Sequence, residues 1–316
     1  MKKILVMGAA GQIGSELVPA LRKIYGNSSV VASDIRTDID EEFRKAGPYE
    51  IIDCLESHKL VQVIVKYEID TVFNLVALLS AVGEAQPQIA WKINVGGLIN
   101  ILEIARELKF AVFTPSSIGA FGLSTPHYNT PQDTIMRPNS IYGVTKVAGE
   151  LLCEYYFQKY GIDTRGVRYP GIISNVTLPG GGTTDYAVEI YYEAIKNKKY
   201  TCNLKPGTFL DMMYMPDCIR AGIEIMEADP SKLKHRNAFN VAAMSFEPEQ
   251  IAAEIRKHIP EFEMDYEVDE IRQAIAESWP NKMDDTCARE EWGWKHEYNL
   301  PRMTKDMLDV LSKKLK

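Results

Sequence analysis

Tyr142 and Lys146 stand four residues apart in Tyr142-Gly143-Val144-Thr145-Lys146. On a helix that spacing puts both side chains on one face. An ammonium beside a phenol stabilises the phenolate, and a phenolate can serve as a general base. The pattern also arises by chance on amphipathic surface helices, so its surroundings decide its meaning. Thr114-Pro115-Ser116-Ser117 closes an apolar strand pattern about 25 residues upstream. Open α/β sheets bind ligands at that strand edge, where a hydroxyl of Ser116 or Ser117 would polarise a reacting oxygen. Near the start of the chain, Gly8-Ala9-Ala10-Gly11-Gln12-Ile13-Gly14 follows one apolar run and opens a helical pattern. Glycines at 8, 11 and 14 allow a tight turn and close approach to a pyrophosphate, with Gln12 and Ile13 beside it at the helix N-terminus. Asp34 ends the second strand pattern, 20 residues beyond Gly14. A carboxylate there accepts from both adenosine ribose hydroxyls and repels a 2′-phosphate, which favours NAD over NADP. Arg36, two residues on, offsets that preference in part.

The elements that must hold these groups alternate from the beginning. Apolar strand patterns at 4–7, 30–32, 51–52, 71–75, 111–113 and 164–168 are separated by helical patterns at 12–25, up to about 67, 86–108 and 140–160. Such alternation predicts a parallel sheet with crossover helices, an α/β, doubly wound Rossmann domain over residues 1–169. Pro170-Gly171 and Pro179-Gly180-Gly181-Gly182 then break the pattern as turn signals. Beyond them come a helix near 186–197, a strand near 209–213 and a helix near 217–227. Residues 170–316 are expected to form mainly a smaller C-terminal α/β substrate-binding lobe, with about 208–241 returning to the first domain. The basic tail, 304–316, reads as a solvated surface helix.

Composition narrows the partners. The 316 residues are 46% hydrophobic and 25% charged, with a net charge of -7. That balance suits a folded enzyme and disfavours nucleic acid, which needs a basic face. No apolar run approaches the roughly 18 residues that span a membrane. Met1-Lys2-Lys3 leads straight into the first strand pattern rather than a leader, so the expected location is the cytoplasm. The five cysteines are scattered and lack CxxC spacing, so neither a disulfide framework nor a metal site is expected.

Glycine turn, strand-end serines and YxxxK together resemble the extended short-chain dehydrogenases/reductases, the group that includes UDP-galactose epimerases. The likeness covers most of the chain. It implies that Asp34, Ile35, Arg36 and Asp53-Cys54 flank the adenosine. It implies further that Leu75, Ala77 and Leu78 pass beside the nicotinamide ribose, with Asn94 in the long helix behind them. Tyr169 and Ile172, in Arg168-Tyr169-Pro170-Gly171-Ile172, would contact the nicotinamide end. Aligned through Phe121-Gly122, Ser117 takes the place of the catalytic hydroxyl residue, with Ser116 one position off. Pairing of the two long helices with their copies implies a homodimer or a dimer-based oligomer.

Departures from the sugar-nucleotide enzymes point to a smaller substrate. Their RDYIHVxD stretch reads Leu210-Asp211-Met212-Met213-Tyr214-Met215-Pro216-Asp217 here, Gly171 replaces a usual asparagine, and no arginine cluster follows Tyr169. Gly181-Gly182-Thr183-Thr184-Asp185-Tyr186-Ala187 and the stretch from Gly207 to Asp217 resemble the NAD-dependent L-threonine 3-dehydrogenase branch. That likeness implies an amino-acid substrate whose C3 hydroxyl gives its proton to Tyr142 and its hydride to NAD, yielding 2-amino-3-ketobutyrate. Ser80, Thr183, Thr184 and the glycine-rich backbone would hold the zwitterion, and Trp279 would shield it. Thr183-Thr184-Asp185 equally suits a helix N-cap, and Trp279 equally suits core packing. A nucleotide-sugar epimerase or dehydratase and a non-catalytic NAD(H) sensor stand as the alternatives.

Overall fold

The computed structural model describes residues 1–177 and 182–315. The first half runs β1 (Ile4–Met7), α1 (Gly14–Tyr25), β2 (Val30–Asp34), α2 (Glu41–Lys45), β3 (Tyr49–Ile51), α3 (Ser57–Tyr67) and β4 (Thr71–Asn74). It continues with α4 (Ser80–Ala85), α5 (Pro87–Trp91), a π-turn (Lys92–Gly96), α6 (Gly97–Leu108), β5 (Ala111–Phe113), β6 (Ser116–Ser117) and α7 (Ile141–Tyr160). Then follow β7 (Thr164–Arg165), β8 (Val167–Tyr169), β9 (Gly171–Ile173), α8 (Tyr186–Asn197), β10 (Lys199–Cys202), β11 (Leu210–Tyr214) and α9 (Met215–Glu227). The chain closes with β12 (Phe239–Asn240), β13 (Met244–Phe246), α10 (Pro248–Arg256), β14 (Glu263–Tyr266), α11 (Glu270–Glu277), α12 (Thr286–Trp292) and α13 (Leu300–Lys314).

Six parallel strands form the main sheet in the order β3-β2-β1-β4-β5-β7. The α/β, doubly wound parallel architecture is the one expected from the alternation. Successive strand residues face opposite sides, so Ile4 and Val6 join one apolar cluster with α1 and α9, while Leu5 and Met7 join another with α3 and α6. The order reverses between β1 and β4, which opens the crevice at their C-terminal ends. A third cluster gathers α8, α10 and α13 around Tyr186, Tyr191, Met303 and Met307. β11 lies between two cores: Leu210, Met212 and Tyr214 face this third cluster, and Met213 faces the α1–α9 side.

Several boundaries differ from the sequence expectation, each for a local reason. The strand expected over 164–168 is two. At Gly166 a Cβ would stand 2.5 Å from the Thr114 carbonyl, and there the chain leaves β5 and crosses to a second small sheet, β12-β8-β6. The third strand begins at Tyr49, not Ile51, because it pairs with β2 from Ala32 onward. The helix expected over 86–108 is interrupted by the π-turn. The tail is no solvated helix: α13 buries Met303, Thr304, Met307, Leu308 and Leu311 at helical spacing, and the Tyr191 hydroxyl pairs with Thr304 Oγ1 at 2.7 Å. Lys313 and Lys314 sit in its last turn, where they complement the helix dipole. Among the described residues no helix is long and apolar enough to cross a membrane. Ile89 and Trp91 of α5, Ile99 of α6 and Val144, Leu151 and Tyr155 of α7 are exposed.

Asp211 on β11 is fully buried, and its Oδ2 accepts the Met283 N–H at 2.8 Å. Burial pushes its carboxyl up to about 8, with Asp285 adding to the rise and the Met283 and Ala243 amides and Lys282 opposing it. A raised carboxyl stabilises the fold while protonated, so its contribution is full below the unfolded value near 3.8 and is lost as pH rises through about 8. Urea unfolding between about pH 5 and about pH 9 should therefore show stability falling with pH, and Asp211→Asn should flatten that slope.

Candidate active site

At the nucleotide end, the glycines are dictated by backbone contact. A Cβ on Gly14 would stand 2.3 Å from the Gly8 carbonyl, and Gly8 itself has φ +75° with its own Cβ direction facing Leu75 backbone at 3.1 Å. The turn is thus a backbone cradle at the start of α1, and it fits a pyrophosphate. Asp34 Oδ2 accepts the Ala10 N–H at 3.0 Å, and Oδ1 accepts the Arg36 N–H at 3.2 Å. The Arg36 guanidinium lies 3.7 Å from the same carboxylate and donates to Ala10 O at 2.6 Å. The charge of Arg36 is therefore matched by Asp34, as an unphosphorylated ribose requires. Ile35 is exposed beside it. Asp53 Oδ1 accepts the Leu55 N–H at 2.9 Å, shaping the adjacent turn. The Cys54 side chain packs on Gly97, where a Cβ would approach its Sγ to 2.7 Å, and burial pushes its thiol up to about 12.

Tyr142 and Lys146 occupy the first turns of α7. The helix starts where Ser140 Oγ accepts the Gly143 N–H at 3.1 Å. Gly143 is forced by packing, since a Cβ there would stand 2.2 Å from the Gly119 carbonyl. That close approach seats the Tyr142 ring against Gly119, whose added Cβ would lie 3.2 Å from the ring. Lys146 Nζ donates to Pro115 O at 2.8 Å and lies 5.4 Å from the Tyr142 ring centre.

The two serines point to different partners. Ser116 is buried and donates its hydroxyl to Glu150, one helical turn beyond Lys146. Arg168 grips the same carboxylate bidentately, at 3.0 Å from Nε and 2.8 Å from Nη2. Arg168 Nη1 continues to Gln132 O at 2.8 Å and Asn240 Oδ1 at 3.0 Å. Asn240 Nδ2 donates to Thr130 O and Asp284 O, both at 3.1 Å. Ser117 Oγ instead accepts the Gly119 N–H at 3.1 Å as an N-cap, which leaves its own proton available to donate.

A cleft of about 180 Å³ opens between the sheet edge and the later elements. It gathers Gln12, Ile13, Leu75, Ala77, Ser80, Ser116, Ser117, Tyr142, Lys146, Tyr169, Ile172, Thr183, Thr184 and Trp279 from the residues singled out in the sequence. Gly8, Gly11, Gly14, Asp34, Ile35, Arg36, Asp53 and Cys54 lie outside it, at and after the ends of β1, β2 and β3. Leu78 and Asn94 are not brought to it: Asn94 Oδ1 accepts the Leu78 N–H at 2.7 Å, and Nδ2 donates to Leu78 O and Thr145 Oγ1, each at 3.1 Å. Asn94 thus clamps the loop after β4 onto α7 from within the π-turn. The Tyr169 hydroxyl is engaged by Cys218 O at 2.7 Å, so it offers the cleft only its ring and backbone. The cap position of α8 is Asp185, whose carboxylate accepts the Gly182 N–H at 2.6 Å rather than a helix amide. Trp279 both lines the cleft and belongs to the α8–α13 core. Gly180 and Gly181 of the glycine-rich segment lie outside the described residues.

Two features escape sequence reasoning. One is the Glu150–Arg168 pair, whose only signal is an acid on the inner face of α7. The other is Gly171, where a Cβ would stand 2.7 Å from Thr184 Cγ2 and 2.4 Å from Met212 Sδ. The absent side chain at 171 is what lets Thr184 reach the cleft.

The profile of the NAD dependent epimerase/dehydratase family spans residues 4–242. An uncharacterized epimerase/dehydratase of Staphylococcus saprophyticus is 54% identical over 316 residues, 100% of this chain and 99% of that one. The structure of an L-threonine dehydrogenase from Clostridium difficile is 55% identical with a TM-score of 0.97, covering 99% of this chain and 98% of that chain. A GalE-like L-threonine dehydrogenase from Cupriavidus necator, in its holo form, is 49% identical with a TM-score of 0.95, covering 98% and 99%.

Removing one partner of a buried ion pair leaves the other charge uncompensated. Glu150→Ala should therefore lower unfolding free energy by about 3–5 kcal/mol in urea titrations. Glu150→Gln, which keeps a hydrogen-bond acceptor for Ser116 and Arg168, should lose less.

Proposed function

The chain belongs to the NAD dependent epimerase/dehydratase family, and from that premise we propose that it oxidises the C3 hydroxyl of L-threonine to 2-amino-3-ketobutyrate. Its cofactor is NAD. The observation that carries the reading is the make-up of the cleft. Among its described lining residues Lys146 is the one cation, whereas a sugar nucleotide needs cations for its diphosphate. The polar lining includes Ser80, Thr183, Thr184 and the acidic Asp185, which suits a small zwitterion. The similar structures from Clostridium difficile and Cupriavidus necator, both L-threonine dehydrogenases, support it.

Residues of the glycine turn and Asp34 would hold NAD, with Lys146 at its nicotinamide ribose. NAD, when bound, supplies the acceptor for the hydride that leaves C3. Tyr142 takes the proton of the C3 hydroxyl as general base, with the Lys146 ammonium 5.4 Å from its ring centre. Ser117 donates to the same substrate oxygen, since the Ser116 proton is already given to Glu150. Ser80, Thr183 and Thr184 orient the amino acid, and Trp279 excludes water from above it. A homodimer formed through the exposed apolar residues of α5, α6 and α7 belongs to the same reading.

Purified protein with NAD and L-threonine should form NADH, and UDP-glucose should not replace the amino acid. Tyr142→Phe should lower kcat by about 10²–10⁴, and Ser117→Ala by about 10²–10³. Loss in Ser116→Ala with Ser117→Ala unaffected would reverse the serine assignment, and no threonine-dependent NADH would end the threonine reading.

Gly171→Ala should push Thr184 out of place. The expected result is a higher KM for threonine, by roughly tenfold for one lost hydrogen bond, with NAD binding unchanged in a fluorescence titration.

A further inference from the structure

Metal-ligating side chains converge far from the cleft, where α12 packs beside β12. A ring nitrogen of His235, Cys287 Sγ and a carboxylate oxygen of Glu291 all lie within 4.8 Å of one another. Cys287 and Glu291 are four apart on α12 and so share one face. His235 comes from the segment leading into β12, and so neither spacing nor a CxxC pattern announces the group in the sequence.

Hydrogen bonds already hold two of these side chains in place. Glu291 Oε2 accepts the backbone N–H of Lys234 at 2.6 Å and of His235 at 3.0 Å, which pins the carboxylate. Its Oε1 lies 2.5 Å from His235 Nδ1. On the other side of the ring, Asp133 Oδ2 lies 3.4 Å from Nε2. The Nδ1 contact is a hydrogen bond to Glu291, so a metal at Nδ1 would displace that proton, while Nε2–H keeps Asp133 as its acceptor, as in carboxylate–histidine–metal arrangements. An edge contact with Phe239, ring centres 5.9 Å apart, holds the imidazole plane. Asp133, Asp284, Glu290 and Glu291 all act electrostatically on Cys287, a field that favours a cation. The His235 side chain is 28% exposed, which leaves an entry path.

We propose that His235, Cys287 and Glu291 bind one zinc ion per chain, tying α12 to the segment that enters β12. Thiolate, imidazole and carboxylate together suit zinc rather than magnesium or calcium, with water as the fourth ligand. Tetrahedral zinc needs ligand atoms about 3.3–3.5 Å apart. Binding therefore requires Glu291 Oε1 to draw back from Nδ1, where it now lies at 2.5 Å, and the three ligand atoms, now within 4.8 Å of one another, to settle at that spacing.

The test uses the full-length protein stripped of metal by a chelator, then titrated with Zn²⁺ against a chromophoric chelator and separately with Co²⁺. One zinc per chain and a sulfur-to-cobalt charge-transfer band are expected. The other four cysteines are buried, so the band reports Cys287. Cys287→Ser should abolish the band and His235→Gln the tight zinc, while Asp133→Asn should weaken zinc about tenfold. NAD binding by each variant reports that it is folded. No zinc retained against the chelator overturns the proposal, and so does a band surviving Cys287→Ser or zinc affinity unchanged in both Cys287→Ser and His235→Gln.

Discussion

A single buried carboxylate joins the parts of this molecule that have to agree. Glu150 receives the Ser116 hydroxyl from the strand end and the Arg168 guanidinium from β8, and it rides on the helix that carries Tyr142 and Lys146. Neither charge is tolerable alone in that interior. Together they fix the rotation of α7 relative to the sheet edge. Through Asn240 the same guanidinium reaches Thr130 and Asp284, next to the segment that carries Trp279 and Met283. Position of the base, direction of the Ser116 hydroxyl and placement of the far wall are thereby tied to one hydrogen-bonded centre.

The parallel sheet was legible because its strands are buried on both sides and read as unbroken apolar runs separated by helical periods. What the pattern could not carry was contact across the chain. Gly166 looks like any turn residue until Thr114 is seen against it. The basic tail reads as solvated because charge dominates its composition, yet Met303, Met307 and Leu311 lie on one stripe. At the nucleotide and base ends the motif residues are local in sequence, so spacing was enough to name them. The Thr184–Gly171 contact and the Asn94 clamp depend on elements far apart in the chain, and no spacing rule reaches them. Ser116 and Ser117 are adjacent in sequence and chemically identical, so only their partners in space tell them apart.

The cleft is shaped by subtraction as much as by addition. Among the described residues that line it no arginine stands ready for a diphosphate, and the missing side chain at Gly171 leaves room for Thr184. On the proposed reading, a small polar ligand is oriented by hydroxyls rather than gripped by cations, with the nucleotide cradle left as it stands.

The π-turn at Lys92–Gly96 sets the phase of a rod. One surplus residue in that turn rotates everything on its N-terminal side by roughly 100° relative to an unbroken α-helix. α5 and α6 are therefore two gears on one shaft, meshed one tooth out of step. Removing a single residue there would turn the segment into plain α-helix and leave α4, and Ser80 with it, close to its present compass bearing. Forcing the same residues into regular α-helix without shortening the chain would instead swing α4 round by that angle.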